Sequence, residues 1–465
     1  MKFHGGRPIN YEKVPSDLSV DFGGLGIETR LPLGLGSLAR HILQSTIMTL
    51  PLMHFAPGLF GVRASVYQTT ILVAAATAVS LSAALTMRRK PVFTPSPRKT
   101  ILPTLSAQEV AALPYPPDAL PGWRDVTTPY GSMRVYESGP EDGERVLLVH
   151  GISTPAVALG DLAHELMKRG YRVMLFDLFG RGYSDAPDLA YDARLFVTQI
   201  LLVLASSKVS WNSFHLVGYS LGGGLVVSFA RYFPHLVSSA TLLASGGLIR
   251  PYHVSWQSWL LYKSGLLPNS LVEWLVRRRI RPKDEDREAG PRPRQSTRVD
   301  IASAETKKYL PNGDSDASGG EEFDSARISR FRPGVTVSSV IRWQIDNHRG
   351  FIPAFISSMR NAPIYAPQED WRVLAAILRE RRERGSCETE IPPLGLHLGK
   401  ILMVLGEDDP IVIKDETIED ARKVLGADGV EFVALPQGHE LPITNSYGVA
   451  NAMENFWRQQ SIDWV

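Results

Sequence analysis

Between residues 123 and 460, short apolar runs alternate with longer stretches whose apolar positions recur every three or four residues. The runs at 133–137, 146–149, 173–177, 215–218, 240–244, 401–405 and 432–435 have the length and β-branched content of strands. The stretches at 156–169, 193–206, 221–232, 414–425 and 447–459 have helical periodicity. Apolar runs without alternation belong to strands covered on both faces. The pattern therefore predicts an α/β fold, a mostly parallel sheet with helices on both sides.

The rhythm breaks between 249 and 394. Aromatic helical pieces come first (Trp256, Trp259, Leu260, then Leu271, Trp274, Leu275), and helical pattern returns at 335–359 and in a basic helix at 371–384. Between them, 281–332 is poor in large apolar residues and rich in Gly, Ser, Pro, Asp, Glu and Arg. That composition cannot repay its ordering entropy and predicts a disordered insert. The whole interval is expected to be a helical cap set into the chain, dividing the core into 123–248 and 395–465.

The N-terminal quarter has a different texture. Residues 1–41 are a tail with acids among Gly and Pro, unlike a secretory leader. Residues 42–90 contain two uncharged stretches, 42–62 and 66–87. The second has 22 residues, about 33 Å as a helix, and Arg88, Arg89 and Lys90 follow it directly. It is the better candidate for a transmembrane helix, and the chain is expected to cross a membrane once or twice. The basic flank would keep everything after it in the cytosol. Residues 91–122 are proline-rich and predict an extended linker.

Charge and cysteine content narrow the chemistry. Fifty Lys and Arg against 48 Asp and Glu leave a net charge of +2, so no global field points to nucleic acid. The single cysteine, Cys387, excludes an internal disulfide framework and a multi-cysteine zinc site. Neither a metal nor a cofactor is expected. The basic tracts 277–279 and 379–384 are solvated faces, or contacts for anionic lipid headgroups if they lie near a membrane.

The strongest chemical signal is Gly218-Tyr219-Ser220-Leu221-Gly222, directly after an apolar run and directly before a helical stretch. A tight strand-to-helix turn needs small residues two before and two after its serine, and it aims a helix N-terminus at the hydroxyl. A serine nucleophile needs a base oriented by an acid. In the chain order Ser, acid, His, the acid falls in Gly406-Glu407-Asp408-Asp409-Pro410. Asp409 is preferred to Asp408, because a residue before proline is held extended. His439 is the one histidine that follows. The N–H groups of Leu221 and Ile152 are the candidate oxyanion donors. His150 precedes both serine and acid and is expected to shape its loop. The Gly-rich turn at 177–185 lacks the lysine of a phosphate cradle and is expected to be structural.

With HGIS at 150–153, DLFGRGYSD at 177–185, GYSLGG at 218–223, GEDDPIV at 406–412 and QGHELP at 437–442, residues 123–460 resemble the α/β-hydrolase family. The resemblance implies a helical cap inserted after the sixth strand. It implies a triad of Ser220, Asp409 and His439, oxyanion donors at Ile152 and Leu221, and elbow glycines at Gly218 and Gly222. Tyr219, Trp343, His348, Phe351 and Arg360 are candidates for the substrate pocket. The resemblance implies serine-hydrolase chemistry, and the N-terminal membrane segment with the aromatic cap points to a membrane-anchored enzyme acting on a lipophilic carboxylic ester. A thioesterase, a carbon–carbon hydrolase of a small metabolite, and a retired hydrolase that serves as a tethered interaction protein remain alternatives.

Overall fold

The computed structural model describes residues 75–76, 92–253, 256–282, 320–365, 369–385 and 394–462. The chain divides into two units, Met1–Arg89 and Lys90–Val465, and the fold described below belongs to the second. The tail 1–41, the stretch 42–62 and, apart from Ala75 and Ala76, the expected span 66–87 lie outside the described residues. So does 283–319, most of the expected disordered insert. Among the described residues no helix is long and apolar enough to cross a membrane.

Eight strands form one sheet: β1 (Trp123–Thr128), β2 (Gly131–Ser138), β3 (Arg145–Val149), β4 (Arg172–Phe176), β5 (Phe214–Tyr219), β6 (Val237–Leu243), β7 (Ile401–Gly406) and β8 (Val430–Leu435). Their spatial order is β8-β7-β6-β5-β3-β4-β2-β1. Only the β1–β2 and β2–β4 pairings are antiparallel. Strands β5 and β7 are buried along their whole length, which explains their unbroken apolar runs. Strand β1 has no such run. It lies at the sheet edge, where Trp123 is exposed, and its polar residues hid it from the hydrophobic pattern.

The helices used below are α1 (Ala107–Ala112), α2 (Gly160–Lys168), α3 (Ala193–Ala205), α4 (Leu221–Tyr232), α5 (Asn269–Ile280), α6 (Glu321–Ser325), α7 (Val337–Asn347), α8 (Phe351–Asn361), α9 (Glu369–Gly385), α10 (Lys414–Leu425) and α11 (Ser446–Ile462). Helix α2 packs with α11, while α3, α4, α9 and α10 follow one another as neighbours. Helix α4 lies on β5 and β6 and is buried from Leu221 to Ala230.

Four expectations are corrected. First, the proline-rich segment is not an extended linker. It forms short helices, among them α1 with a Ser106–Glu109 capping box. It is also fastened to the core: the Ser96 N–H donates to Asp185 Oδ1 (2.9 Å), and Tyr115, fully buried, donates to Asp177 Oδ1 (3.0 Å). Second, the insert's expected boundary at 332 is too late. Residues 320–332 contain α6, bury Phe323 and Ile328, and send Arg330 to Asp161, Glu165 and Ser446. Third, the helical pattern 335–359 is two helices. His348 ends α7: its ring Nδ1 accepts from the Gly350 N–H (3.1 Å), and a side chain at Gly350 would collide with Ala186. Fourth, the cap does not reach 394. Helix α9 buries Trp371, Leu374 and Leu378, spaced three and four apart, and packs on α4, so it belongs to the layer covering the sheet.

Candidate active site

The end of β5 turns into α4 through Ser220, whose backbone has φ 54° and ψ −118°. That left-handed conformation is strained for a residue with a Cβ. The turn is also crowded. A Cβ on Gly218 would sit 2.2 Å from the Gly222 carbonyl oxygen, and a Cβ on Gly222 would sit 2.2 Å from that of Val149. Hence neither position accepts a side chain. The Ser220 N–H donates to the Leu243 carbonyl (3.0 Å), and the Ser220 carbonyl accepts from the N–H groups of Gly223 and Gly246 (2.9 and 2.8 Å). These bonds lock the serine between β6 and α4 and raise its hydroxyl above the sheet.

Asp409 and His439 reach it from the loops after β7 and β8. His439 Nδ1 donates to Asp409 Oδ2 (2.8 Å), and its Nε2 lies 3.1 Å from Ser220 Oγ. A carboxylate only accepts, so Nδ1 carries the proton and Nε2 is free to accept from the serine hydroxyl. The other Asp409 oxygen accepts from the N–H groups of Ile411 and Val412 (2.8 and 2.9 Å). Asp409 and His439 are buried, whereas Glu407 and Asp408 are exposed. The Tyr219 hydroxyl donates to the His439 carbonyl (2.9 Å) and steadies that loop from below.

The loop after β3 faces the serine. Ile152 and Leu221 both line the cavity that contains Ser220, and Leu221 is the first residue of α4, where an N–H has no intrahelical partner. His150 is not part of the relay. Its Nδ1 donates to the Gly151 carbonyl and its Nε2 accepts from the Leu178 N–H (both 2.8 Å), while burial pushes its pKa down to about 3. The 177–185 turn is structural: Asp177 accepts from the N–H groups of Ala156 and Tyr183 (both 2.8 Å). Burial nevertheless raises its pKa to about 6. Gln344 of the cap joins this turn to the β3 loop, accepting from the Gly182 N–H and donating to the Ser153 carbonyl (both 2.9 Å).

The cavity measures about 140 Å³, and its apolar wall includes Ile249, Phe323, Phe355, Met359 and Ile364 with Ile411 and Ile413. Of the five expected pocket residues, Tyr219 lines it and four do not. Trp343 is buried against Tyr183 and Tyr115. His348 bonds the Ser184 carbonyl (2.9 Å), and Phe351 is fully buried beside Phe355. Arg360 turns its guanidinium to the carbonyls of Tyr262 and Leu261. Those four are polar and aromatic positions on or beside α7 and α8. The wall instead comes from the apolar face of α8 (Phe355, Met359) and from Phe323, whose ring centroid lies 5.8 Å from that of His439. The i, i+4 spacing of Phe355 and Met359 is a usable signal, whereas Phe323 lies in the stretch whose composition predicts disorder. Among the described residues no group of three or more His, Cys, Asp or Glu is placed to hold a metal ion.

Residues 144–275 match the family described as alpha/beta hydrolase fold. An uncharacterized protein of Mycobacterium tuberculosis is 32% identical over 126 residues, which is 26% of this chain and 34% of that protein. A serine hydrolase-like protein of Danio rerio is 28% identical over 123 residues, 26% of this chain and 37% of its own. Lipase 1 of Psychrobacter immobilis is 32% identical over 126 residues, 27% and 39% respectively. The match thus spans little more than a third of the length of these relatives. An esterase from Rhodococcus sp. aligns in three dimensions with a TM-score of 0.44 at 15% identity, over 72% of this chain and 98% of that one. The strand order and the family match over 144–275 together make this chain a protein of the α/β-hydrolase fold.

Proposed function

We propose that the protein is a serine hydrolase that cleaves a carboxylic ester with a lipophilic part. The observation that carries this is His439, hydrogen-bonded on one side to a buried carboxylate and on the other to a serine held in a strained turn under an apolar cavity. In this reading His439 Nε2 takes the Ser220 proton as Oγ attacks the ester carbonyl. The Leu221 and Ile152 N–H groups receive the oxyanion, and His439 then gives the proton to the leaving alcohol. Water, deprotonated by the same nitrogen, releases the acid from the acyl-enzyme. Asp409 keeps the proton on Nδ1 throughout and stabilises the imidazolium. The lipophilic preference is supported by the cavity wall and by the uncharged segment 66–87, which we read as a membrane anchor with the catalytic part in the cytosol.

A fluorophosphonate probe is expected to label the wild type and not Ser220→Ala. Equal labelling of both, or of neither, would sink the serine assignment, and the second result would favour an interaction protein on a retired fold. Rates on p-nitrophenyl esters should rise from acetyl to medium and long acyl chains. Activity confined to small polar esters or thioesters would move the substrate to the metabolite alternative.

A further inference from the structure

The outer side of the cap carries an apolar surface that the proposed chemistry does not use. Residues Trp256–Ser258 and Trp259–Lys263 form one helical stretch whose second half is a π turn. It buries Ser258, Leu261 and Tyr262 and turns Trp256 and Trp259 outward, 72% and 53% exposed, with exposed Lys263 beyond them. Helix α5 repeats the arrangement. Val272 and Val276 are buried, while Leu271 and Trp274 are 41% and 54% exposed, followed by exposed Arg278, whose guanidinium lies 5.9 Å from the Trp274 ring. Each stripe therefore reads large apolar, Trp, cation at positions i, i+3 and i+7. Both elements pack on α8, and Arg279 of the second reaches Ser258 of the first (3.4 Å).

Three outward tryptophans on two neighbouring elements make an exposed apolar patch of the kind that marks a contact surface. A membrane interface suits such a patch: indole rings sit at headgroup depth, and lysine and arginine extend their stems along apolar surface to hold the charge in water. Charge selects the partner further. From 256 to 282 the chain has five cations and one carboxylate, Glu273. Arg281 is neutralised by Asp346 (2.9 Å), but Arg277 is held by the Ile345 carbonyl, which leaves its charge in place. We propose that the face formed by Trp256, Trp259 and Lys263 with Leu271, Trp274 and Arg278 docks on a lipid bilayer carrying anionic phospholipid headgroups.

The position of this face gives it a consequence for the site. Ser258, on the inner side of the first stripe, and His253, just before it, line the cavity over Ser220. The wall that meets the bilayer on one side thus meets the candidate nucleophile's cavity on the other. A lipophilic ester would enter from the membrane through this wall. That consequence rests on the hydrolase reading; the docking does not.

The experiment uses the full chain with Cys387→Ser and a single new cysteine, Trp256→Cys or Trp274→Cys, labelled with an environment-sensitive NBD fluorophore. Leu189→Cys, exposed elsewhere, is the reference. The protein is reconstituted into phosphatidylcholine vesicles with or without phosphatidylserine. Labels at 256 and 274 should show blue-shifted emission at least twice as intense as the label at 189. The gain should grow with phosphatidylserine and fall in Lys263→Glu/Arg278→Glu. Labels at 256 and 274 that respond no more than the reference overturn the proposal. So does a blue shift that follows protein concentration without lipid, which would assign the face to a second copy of the chain. The charge-reversed variant should keep its rate on p-nitrophenyl acetate and lose at least threefold on a long-chain ester presented in anionic vesicles. An enzyme inactive on both esters would fail the hydrolase reading and leave the label result standing.

Discussion

Asp409 shows how one residue's surroundings assign it a role that its neighbour cannot take. Pro410 has no N–H, so the first backbone donors beyond Asp409 are Ile411 and Val412, and both bind Oδ1. That orients Oδ2 toward His439. Asp408 has the same charge but is exposed, and its own N–H is tied to the Gln437 carbonyl (3.2 Å). In Asp409→Asn, the amide oxygen must stay on the Ile411 and Val412 N–H groups, which turns the NH₂ toward His439 Nδ1. The imidazole then carries its proton on Nε2 and cannot accept one from Ser220. Steady-state kinetics should show kcat lower by roughly 10³–10⁴-fold with folding retained, while Asp408→Asn stays within about twofold of wild type. A loss of similar size in Asp408→Asn would reverse the choice. The arrangement of Ser220, His439 and Asp409 is legible in the sequence, because a turn of small residues, a residue before proline and a late histidine follow local chemistry. The pocket was less legible, because its wall is made by apolar side chains with no distinguishing type.

Elements were readable where burial was symmetrical and misread where it was not. The inner strands are mostly apolar, and their runs match the observed β3 to β7 within a few residues. Strand β1 and the segment before it hold to the core through polar bonds, which leave no hydrophobic period. Residues 320–332 are the instructive miss. Their composition is polar, yet Arg330 fastens them to α2, and this carries Phe323 to the cavity beside His439. Phe323→Ala should therefore act on substrate fit and leave the chemical step alone. KM for a long-chain ester is expected to rise several-fold, with kcat for an acetyl ester within about twofold. Equal losses on both substrates would mean that Phe323 positions the histidine instead. Arg330→Ala should lower stability by about 1–2 kcal/mol in urea unfolding, since two of its partners, Asp161 and Glu165, are mostly buried carboxylates that would lose a charged donor.

On the scale of the molecule, the turn between β4 and α3 joins the N-terminal segment, the sheet and the cap, and the ionisable groups buried around it contribute to the acid sensitivity of the fold. His348 of the cap bonds the Ser184 carbonyl within that turn, and burial lowers its pKa from 6.5 to about 4. His150 behaves likewise, at about 3. Unfolding lets both rings take up protons, so the unfolded state binds more protons between pH 6.5 and about 4, and stability falls as pH falls through that window. Asp177 opposes this. Its folded pKa of about 6 exceeds the unfolded 3.8, so between those values the native state binds the extra proton. With two histidines acting against one aspartate, these three groups favour the unfolded state as the pH falls from about 6 to about 4. In His348→Gln, whose amide donates to the same carbonyl and does not titrate, one of the two histidine contributions is removed. Urea midpoints measured from pH 7 to pH 4.5 should therefore decline less steeply than in wild type. Parallel curves would place the acid sensitivity elsewhere.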